Sequence, residues 1–248
     1  PSFYQVQPLL SLLTREAPTL VVACGMALVI ICRQIDISVG SQFAVCSVCA
    51  GLLAAMKWPL ALVLLASIGI GGTLGALNGI LVAGLRLPSI VVTLATMVTL
   101  RKGLDWLRQG QFVNLPDGVQ WFGLTQIQGQ LALIATAVVL LVLMALAMKH
   151  LSAGRFFYAV GSDSEAARLA GIRPQLVTFC AFVLIGALTG LAAMMNVAQS
   201  PQVDPKSGTG LELKTIAAVV VGGVAISGGR GKLWGVFVVA PVVHSVRP

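Results

Sequence analysis

The chain has 248 residues, of which 57% are hydrophobic and only 10% charged, and its mean hydropathy is +0.95. Soluble domains carry about 25% charged residues, so too few polar side chains are present to cover a water-facing surface, and the composition places the chain in a bilayer. The net charge of +8 comes from Lys and Arg scattered between apolar runs without a basic, aromatic-interleaved stripe, which excludes nucleic-acid binding and leaves loop charges that orient the chain and touch anionic lipid.

In chain order, apolar runs lie at residues 19–32, 39–56, 59–85, 90–100, 130–148, 176–197, 213–226 and 233–246. A helix crossing hydrocarbon needs about 20 residues; several runs fall short, and 59–85 is longer than it needs to be. Such unevenness, with internal glycines, predicts broken helices. Breaks persist at membrane depth only inside protein or beside a water-filled cavity, and transport proteins use them. Gly71, Gly75 and Gly79 recur every four residues, and Gly186 and Gly190 repeat the spacing. Each set makes a smooth ridge where another helix can approach closely. Residues 35–55 are expected to echo residues 213–229, because both place an acidic residue before a helix rich in small residues. Cys24, Cys32, Cys46, Cys49 and Cys180 all lie in or at the edge of apolar runs. Cys46-x-x-Cys49 is read as packing, and no disulfide or metal framework is implied. Pro1 is not an initiator and the last run is short, so residues 1–248 are taken as a single transmembrane domain cut at both ends.

The segment 148–174 holds Lys149, Arg155, Arg168 and Arg173 and is therefore placed in the cytoplasm. Alternation puts residues 110–129 and 199–214 outside, and residues 228–232, with Arg230 and Lys232, inside. Arg101, Lys102 and Arg108 fall on the outer side against the rule, so the densest loop carries the assignment.

Within that loop the sequence GSDSEAARLAGIRP (161–174) reads like soluble protein. Ser162 and Glu165 match a capping box, Asp163 and Glu165 suit the positive end of a helix dipole, and Gly171 and Pro174 form a stop. About two turns lie between, a length marginal in water unless docked. Ala166, Leu169 and Ala170 share one face. That face fits either a partner or the membrane plane.

Glu165-Ala166-Ala167 followed by Gly171 resembles the E-A-A-x-x-x-G loop of binding-protein-dependent ABC transporter permeases. The segments RQIDISVGSQFAVCS (33–47), LNGILVAGLRLPSIVVTLATM (77–97), GRFFYAVGSDSEAARLAGI (154–172) and GTGLELKTIAAVVVGGVAISGGRGKLWG (208–235) are similar to the ribose-type sugar permeases, in family order. The resemblance departs in two respects: the family's I-x-L-P element does not follow Gly171, and the family's flanking membrane helices are taken as missing at both ends. It implies an all-α, multi-pass transmembrane bundle in the bacterial inner membrane, with a short cytoplasmic coupling helix built on Gly161, Ser162, Glu165, Ala166, Ala167, Arg168 and Gly171. It further implies a cytoplasmic ABC ATPase as partner, a periplasmic sugar-binding protein and a second permease subunit. ATP would be bound by the ATPase. GGRGKL lacks the first Gly and the Ser/Thr of a P-loop, with Ile226 and Leu233 in their places, and no cofactor is expected in this chain. The solute would be a monosaccharide (a pentose, a deoxyhexose such as rhamnose, or the autoinducer-2 furanose), and QWFGLTQIQGQ (120–130) leans toward a rhamnose-type system.

A sugar path needs donors and acceptors without tight binding, since the solute must leave again. Asp36, Ser38, Asn78, Thr93, Thr96 and Asn196 are the pathway candidates. For Asp36 the alternatives are a hinge near the solute, close to a helix N-terminus exposed by a break at residues 37–40, or a cap at the cytoplasmic boundary paired with Arg33. Interhelical hydrogen bonding is the alternative for the neutral residues. Glu212 is read as a charge opening the next helix. His150 and His244 sit near run ends and no H-E-x-x-H pattern includes them, so no catalytic residue is assigned. An ion-coupled secondary transporter is the rival reading, with Asp36 as its ion site.

Overall fold

The computed structural model describes residues 6–231 and Gly235. Lys232, His244 and the run at 233–246, Gly235 apart, lie outside the described residues. The fold is an all-α membrane bundle. In order it contains α1 (Val6–Ile31), α2 (Val39–Ala55), α3 (Leu60–Gly79), α4 (Ser89–Arg108), β1 (Val113–Asn114), α5 (Gln126–His150), α6 (Ser152–Ser162), α7 (Ser164–Leu169), α8 (Pro174–Val197), β2 (Gln202–Val203) and α9 (Leu211–Val221). Helix α3 runs on through a π-helical turn, Ile80–Gly84. Among the described residues, four stretches are long and apolar enough to cross a membrane: Gln7–Ile31, Leu60–Gly84, Gln126–His150 and Pro174–Val197.

Helix α1 is the hub. From Val21 to Ile31 its described side chains are at most 1% exposed, as expected of a helix apolar on every face. It is enclosed by α5, α8 and α9. Helices α3 and α8 run antiparallel and approach backbone to backbone. A Cβ on Gly71 would collide with the Gly186 carbonyl, one on Gly75 with the Phe182 carbonyl, and one on Gly190 with the Ser67 carbonyl. The glycine ridges therefore pack as their spacing implies, and the Ser67 hydroxyl seals the seam by donating to the Gly190 carbonyl at 2.7 Å.

The molecule has two distinct ends. At one, β1 pairs antiparallel with β2, Val113 opposite Val203, the Trp121 N–H donates to the Ala198 carbonyl at 2.8 Å, and Arg101 donates to the Ser207 carbonyl at 3.3 Å. At the other, the end of α1 meets the α6–α7 junction and the turn at 228–231: the Gly229 N–H donates to the Ile31 carbonyl at 2.9 Å. Residues 110–125 and 199–210 thus share an end opposite α7, as the alternation of runs requires.

Four boundaries differ from the hydropathy reading. Helix α1 starts before Pro18 and passes through it; a membrane bundle tolerates the missing N–H because neighbours re-satisfy the backbone. Helix α4 continues past the apolar run through Arg101, Lys102 and Arg108, residues of good helix propensity. Residues 152–162 form α6, an amphipathic helix absent from the expected elements. The run expected at 213–226 is the 11-residue helix α9, about 16 Å long at 1.5 Å per residue and too short to span. Its start lies beside Arg15, Pro18 and Thr19 of α1, and the turn beyond its end lies beside Ile31, so it covers only the second half of α1. The starts of α2 and α9, the two segments expected to echo each other, touch: a Cβ on Gly40 would collide with the Glu212 carboxylate and the Gly208 carbonyl.

Candidate functional site

The α7 helix is held by caps at both ends. Its N-cap is Asp163, whose extended backbone (φ −155°, ψ 109°) turns the carboxylate back over the helix start. Asp163 Oδ1 accepts from the N–H groups of Glu165 at 2.9 Å and Ala166 at 3.0 Å. Those two bonds hold the Asp163 carboxyl below its ordinary range. The predicted Ser162–Glu165 capping box does not form. Ser162 is the last residue of α6, and Glu165 forms an ion pair with Arg168 in place of reaching back. An ionised carboxylate one residue later satisfies two amides and the helix dipole together. At the other end Gly171 sits at φ +84°. Its N–H donates to the Arg168 carbonyl at 3.0 Å, and the Ile172 N–H donates to the Ala167 carbonyl at 3.0 Å. This is a Schellman stop.

Ala167 is the buried anchor of α7, 4% exposed, while Leu169 is 78% exposed and Ala166 and Ala170 face outward with it. The Glu165–Arg168 pair flanks this apolar face, and Arg168 holds the Glu165 carboxyl below its ordinary range. Beneath, Gly161 packs so tightly that a Cβ would collide with the Ile31 carbonyl. All seven coupling candidates therefore fall at one place.

A second constellation lies in the connector between α1 and α2, residues 32–38, and the helices around it. Asp36, Ser38, Gln42, Asn78 and Thr93 are each 0% exposed. Asp36 Oδ1 accepts from the Ser38 N–H at 2.9 Å and from the Ser38 hydroxyl. The Ser38 hydroxyl oxygen accepts from Gln42 Nε2 at 2.6 Å and from Asn78 Nδ2 at 2.9 Å. Asn78 Oδ1 accepts from the Thr96 hydroxyl at 2.7 Å. Thr93 donates to the Ser89 carbonyl at 2.8 Å, and the Ser89 hydroxyl oxygen accepts from the Ile35 N–H at 3.3 Å. One network thus ties the connector to α2, α3 and α4. It gathers Asp36, Ser38, Asn78, Thr93 and Thr96, but not Asn196. Asp36 stands three residues before α2, close to a helix N-terminus. It does not pair with Arg33, whose guanidinium reaches the Ser227 and Ser162 carbonyls. Gln42 and Ser89 are members that the sequence reading missed; Gln42 lies one helical turn after Ser38 and is the longest polar side chain in the run 39–56.

Asn196 belongs to a third feature, a cavity of about 490 Å³ at the end opposite α7. Arg15, Glu16 and Thr19 of α1, Gln126 and Gln130 of α5, Trp121 and Lys214 also line it. A smaller cavity of about 170 Å³ shares Arg15, Thr19, Asn196 and Lys214 and continues to Phe43 and Gly208. Gly208 in turn abuts Gly40, two residues from Ser38. The larger volume lies within the range of small-ligand sites, about 300–1,000 Å³. The lining is mostly hydroxyls, amides and charged groups, chemistry for a small hydroxyl-bearing solute. Among the described residues no cluster of three or more His, Cys, Asp or Glu side chains is placed to hold a metal.

A family model described as the permease component of branched-chain amino acid transport systems matches residues 9–247. The ribose import permease protein RbsC of Escherichia coli is 31% identical over 252 residues, covering 98% of this chain and 77% of the relative. The autoinducer 2 import system permease protein LsrC of Salmonella paratyphi B is 34% identical over 234 residues, covering 94% of this chain and 68% of the relative. No solved structure matches the chain.

Proposed function

The chain belongs to the family of permease components of branched-chain amino acid transport systems, and from that membership we propose that it is the membrane subunit of an ATP-driven importer of a small sugar. The ribose and autoinducer 2 permeases support a pentose-like or furanose solute. Rhamnose, toward which residues 120–130 lean, belongs in the same test. The α7 end faces the cytoplasm, since its loop carries the densest positive charge, and the membrane is the bacterial inner membrane. A binding protein delivers the sugar to the opposite end, above the larger cavity, and a second permease subunit completes the path. Asp36, Ser38, Asn78, Thr93 and Thr96 shape the inner part of that path, and Asn196 its entrance.

The observation that carries this reading is α7 itself. A six-residue helix does not persist on its own in water, yet this one is capped at both ends, anchored by Ala167 and presents Leu169 outward. An ATPase groove would cover Leu169 and the alanines. Closure of the ATPase on ATP would then push the cytoplasmic end of the bundle, a rigid-body switch. The ATP chemistry resides in the partner; this chain supplies the lever and the path.

Co-purification of the complete permease with its ATPase tests the reading, together with uptake of ribose, rhamnose and the autoinducer-2 furanose into proteoliposomes. Leu169→Glu should weaken ATPase retention by roughly 10- to 100-fold, the equivalent of about 1.5–3 kcal/mol for burying a leucine. Full retention in that variant, or sugar accumulation by the permease without an ATPase, would refute the proposal.

A further inference from the structure

We propose that Arg33 is a positioning residue that locks α7 to the α1–α2 connector, so that motion of α7 reaches the buried Asp36 network. The proposal rests on the reading of α7 as the ATPase contact. Arg33 holds a left-handed backbone, φ +60°, which a non-glycine residue adopts only when its surroundings over-determine it. Its Nε donates to the Ser227 carbonyl at 2.6 Å and its Nη2 to the Ser162 carbonyl at 2.8 Å. Ser162 directly precedes Asp163, the cap of α7, and the Arg33 charge contributes to lowering the Asp163 carboxyl. Gly228 leaves room for the arrangement: a Cβ there would collide with Cγ of Arg33.

A planar fork that donates in two fixed directions suits two carbonyls on separate segments; an ammonium on a flexible stem does not reproduce it. Arg33 therefore joins three pieces of backbone: the connector, the α6–α7 junction and the turn at 227–229. On its other side the connector is pinned at once. The Ile35 N–H donates to Ser89 Oγ, and the Ile35 carbonyl accepts from Thr93 at 3.4 Å. Asp36 and Ser38 follow, bonded through Asn78 to Thr96. A displacement of α7 is thus handed to α2, α3 and α4 through six residues of chain, from Arg33 to Ser38. Arg33 lies outside the Ala166–Leu169–Ala170 face, so docking does not require it.

The test uses the complete importer in proteoliposomes, with ATP hydrolysis and uptake of whichever of the three sugars the wild type accumulates measured in parallel. In Arg33→Ala, ATPase retention and ATP hydrolysis should stay near wild type while sugar moved per ATP falls about tenfold, within the ~5- to 150-fold range of coupling between sites. Arg33→Lys keeps the charge and stem, and should recover only part of the loss. Unchanged sugar per ATP in both variants overturns the proposal. So does a parallel fall of hydrolysis and uptake in both, with a lowered Tm, which marks a merely structural role. Failure of the functional reading has a different signature: wild type that neither retains the ATPase nor accumulates any of the sugars overturns that reading and this inference with it.

Discussion

Asp163 carries two hydrogen bonds on one oxygen, so its replacement by Ala leaves two helix-start amides without acceptors. Hydrogen exchange at Glu165 and Ala166 should then quicken roughly several-fold, with exchange in α8 unchanged. The pH dependence has a definite sign. Because the folded carboxyl titrates below its ordinary value, its contribution is complete above about pH 4, the unfolded value, and is lost as pH falls through the lowered folded value. Protection at the two amides, corrected for intrinsic exchange, should be flat from neutral pH to about pH 5 and collapse below about pH 4; a flat profile throughout would remove Asp163 from the cap. The cap shows how far a motif can be trusted. The S-x-x-E pattern at Ser162 was legible, but Asp163 beside it was the stronger acceptor. A true capping box stands at Thr125 and Gln128, starting α5, where the apolar run drew no attention to it.

At the scale of elements, the α3–α8 seam makes the sharpest prediction. A Cβ on Gly186 would collide with the Gly71 carbonyl, whereas a Cβ on Gly69 meets nothing within 4 Å. Gly186→Val should therefore cost about 1–3 kcal/mol or more, because backbone cannot yield as a side chain can. Gly69→Ala should be neutral or stabilising by up to about 1 kcal/mol. Thermal unfolding in detergent compares the two, and equal Tm values would contradict the seam. This element was readable because a four-residue glycine period has one main physical meaning in an apolar helix. The half-length of α9, the passage of α1 through Pro18 and the existence of α6 were not readable. Each is decided by which neighbours cover the backbone, a property absent from a single run of residues.

For the whole molecule, the two ends can be told apart by chemistry. In a cysteine-free background, Cys placed at Gln111 or Asp204 should react with a membrane-impermeant maleimide in intact cells. Cys placed at Ser164 should react only after permeabilisation. Labelling of Ser164→Cys from outside would invert the molecule and with it the role of α7. The division into ends follows from the alternation of runs, so it was visible in the sequence. The union of the pathway candidates was not: Asn78 and Ser38 are 40 positions apart, and only the packing of α3 on α2 brings them into contact.

The enclosure of α1 also bears on how the molecule is made. On the ribosome α1 precedes the helices that finally surround it, and α5, α8 and α9 are synthesised only after α2, α3 and α4. At ~5–20 residues per second, its flanks stay in contact with lipid or insertion machinery for roughly 5–20 s before α5 is complete enough to cover them. A uniformly oily surface tolerates that delay, since acyl chains solvate it as well as protein does. The exceptions cluster in the first half of the helix, Ser11, Thr14, Arg15, Glu16 and Thr19 among them, where the nascent chain would be slowest to settle.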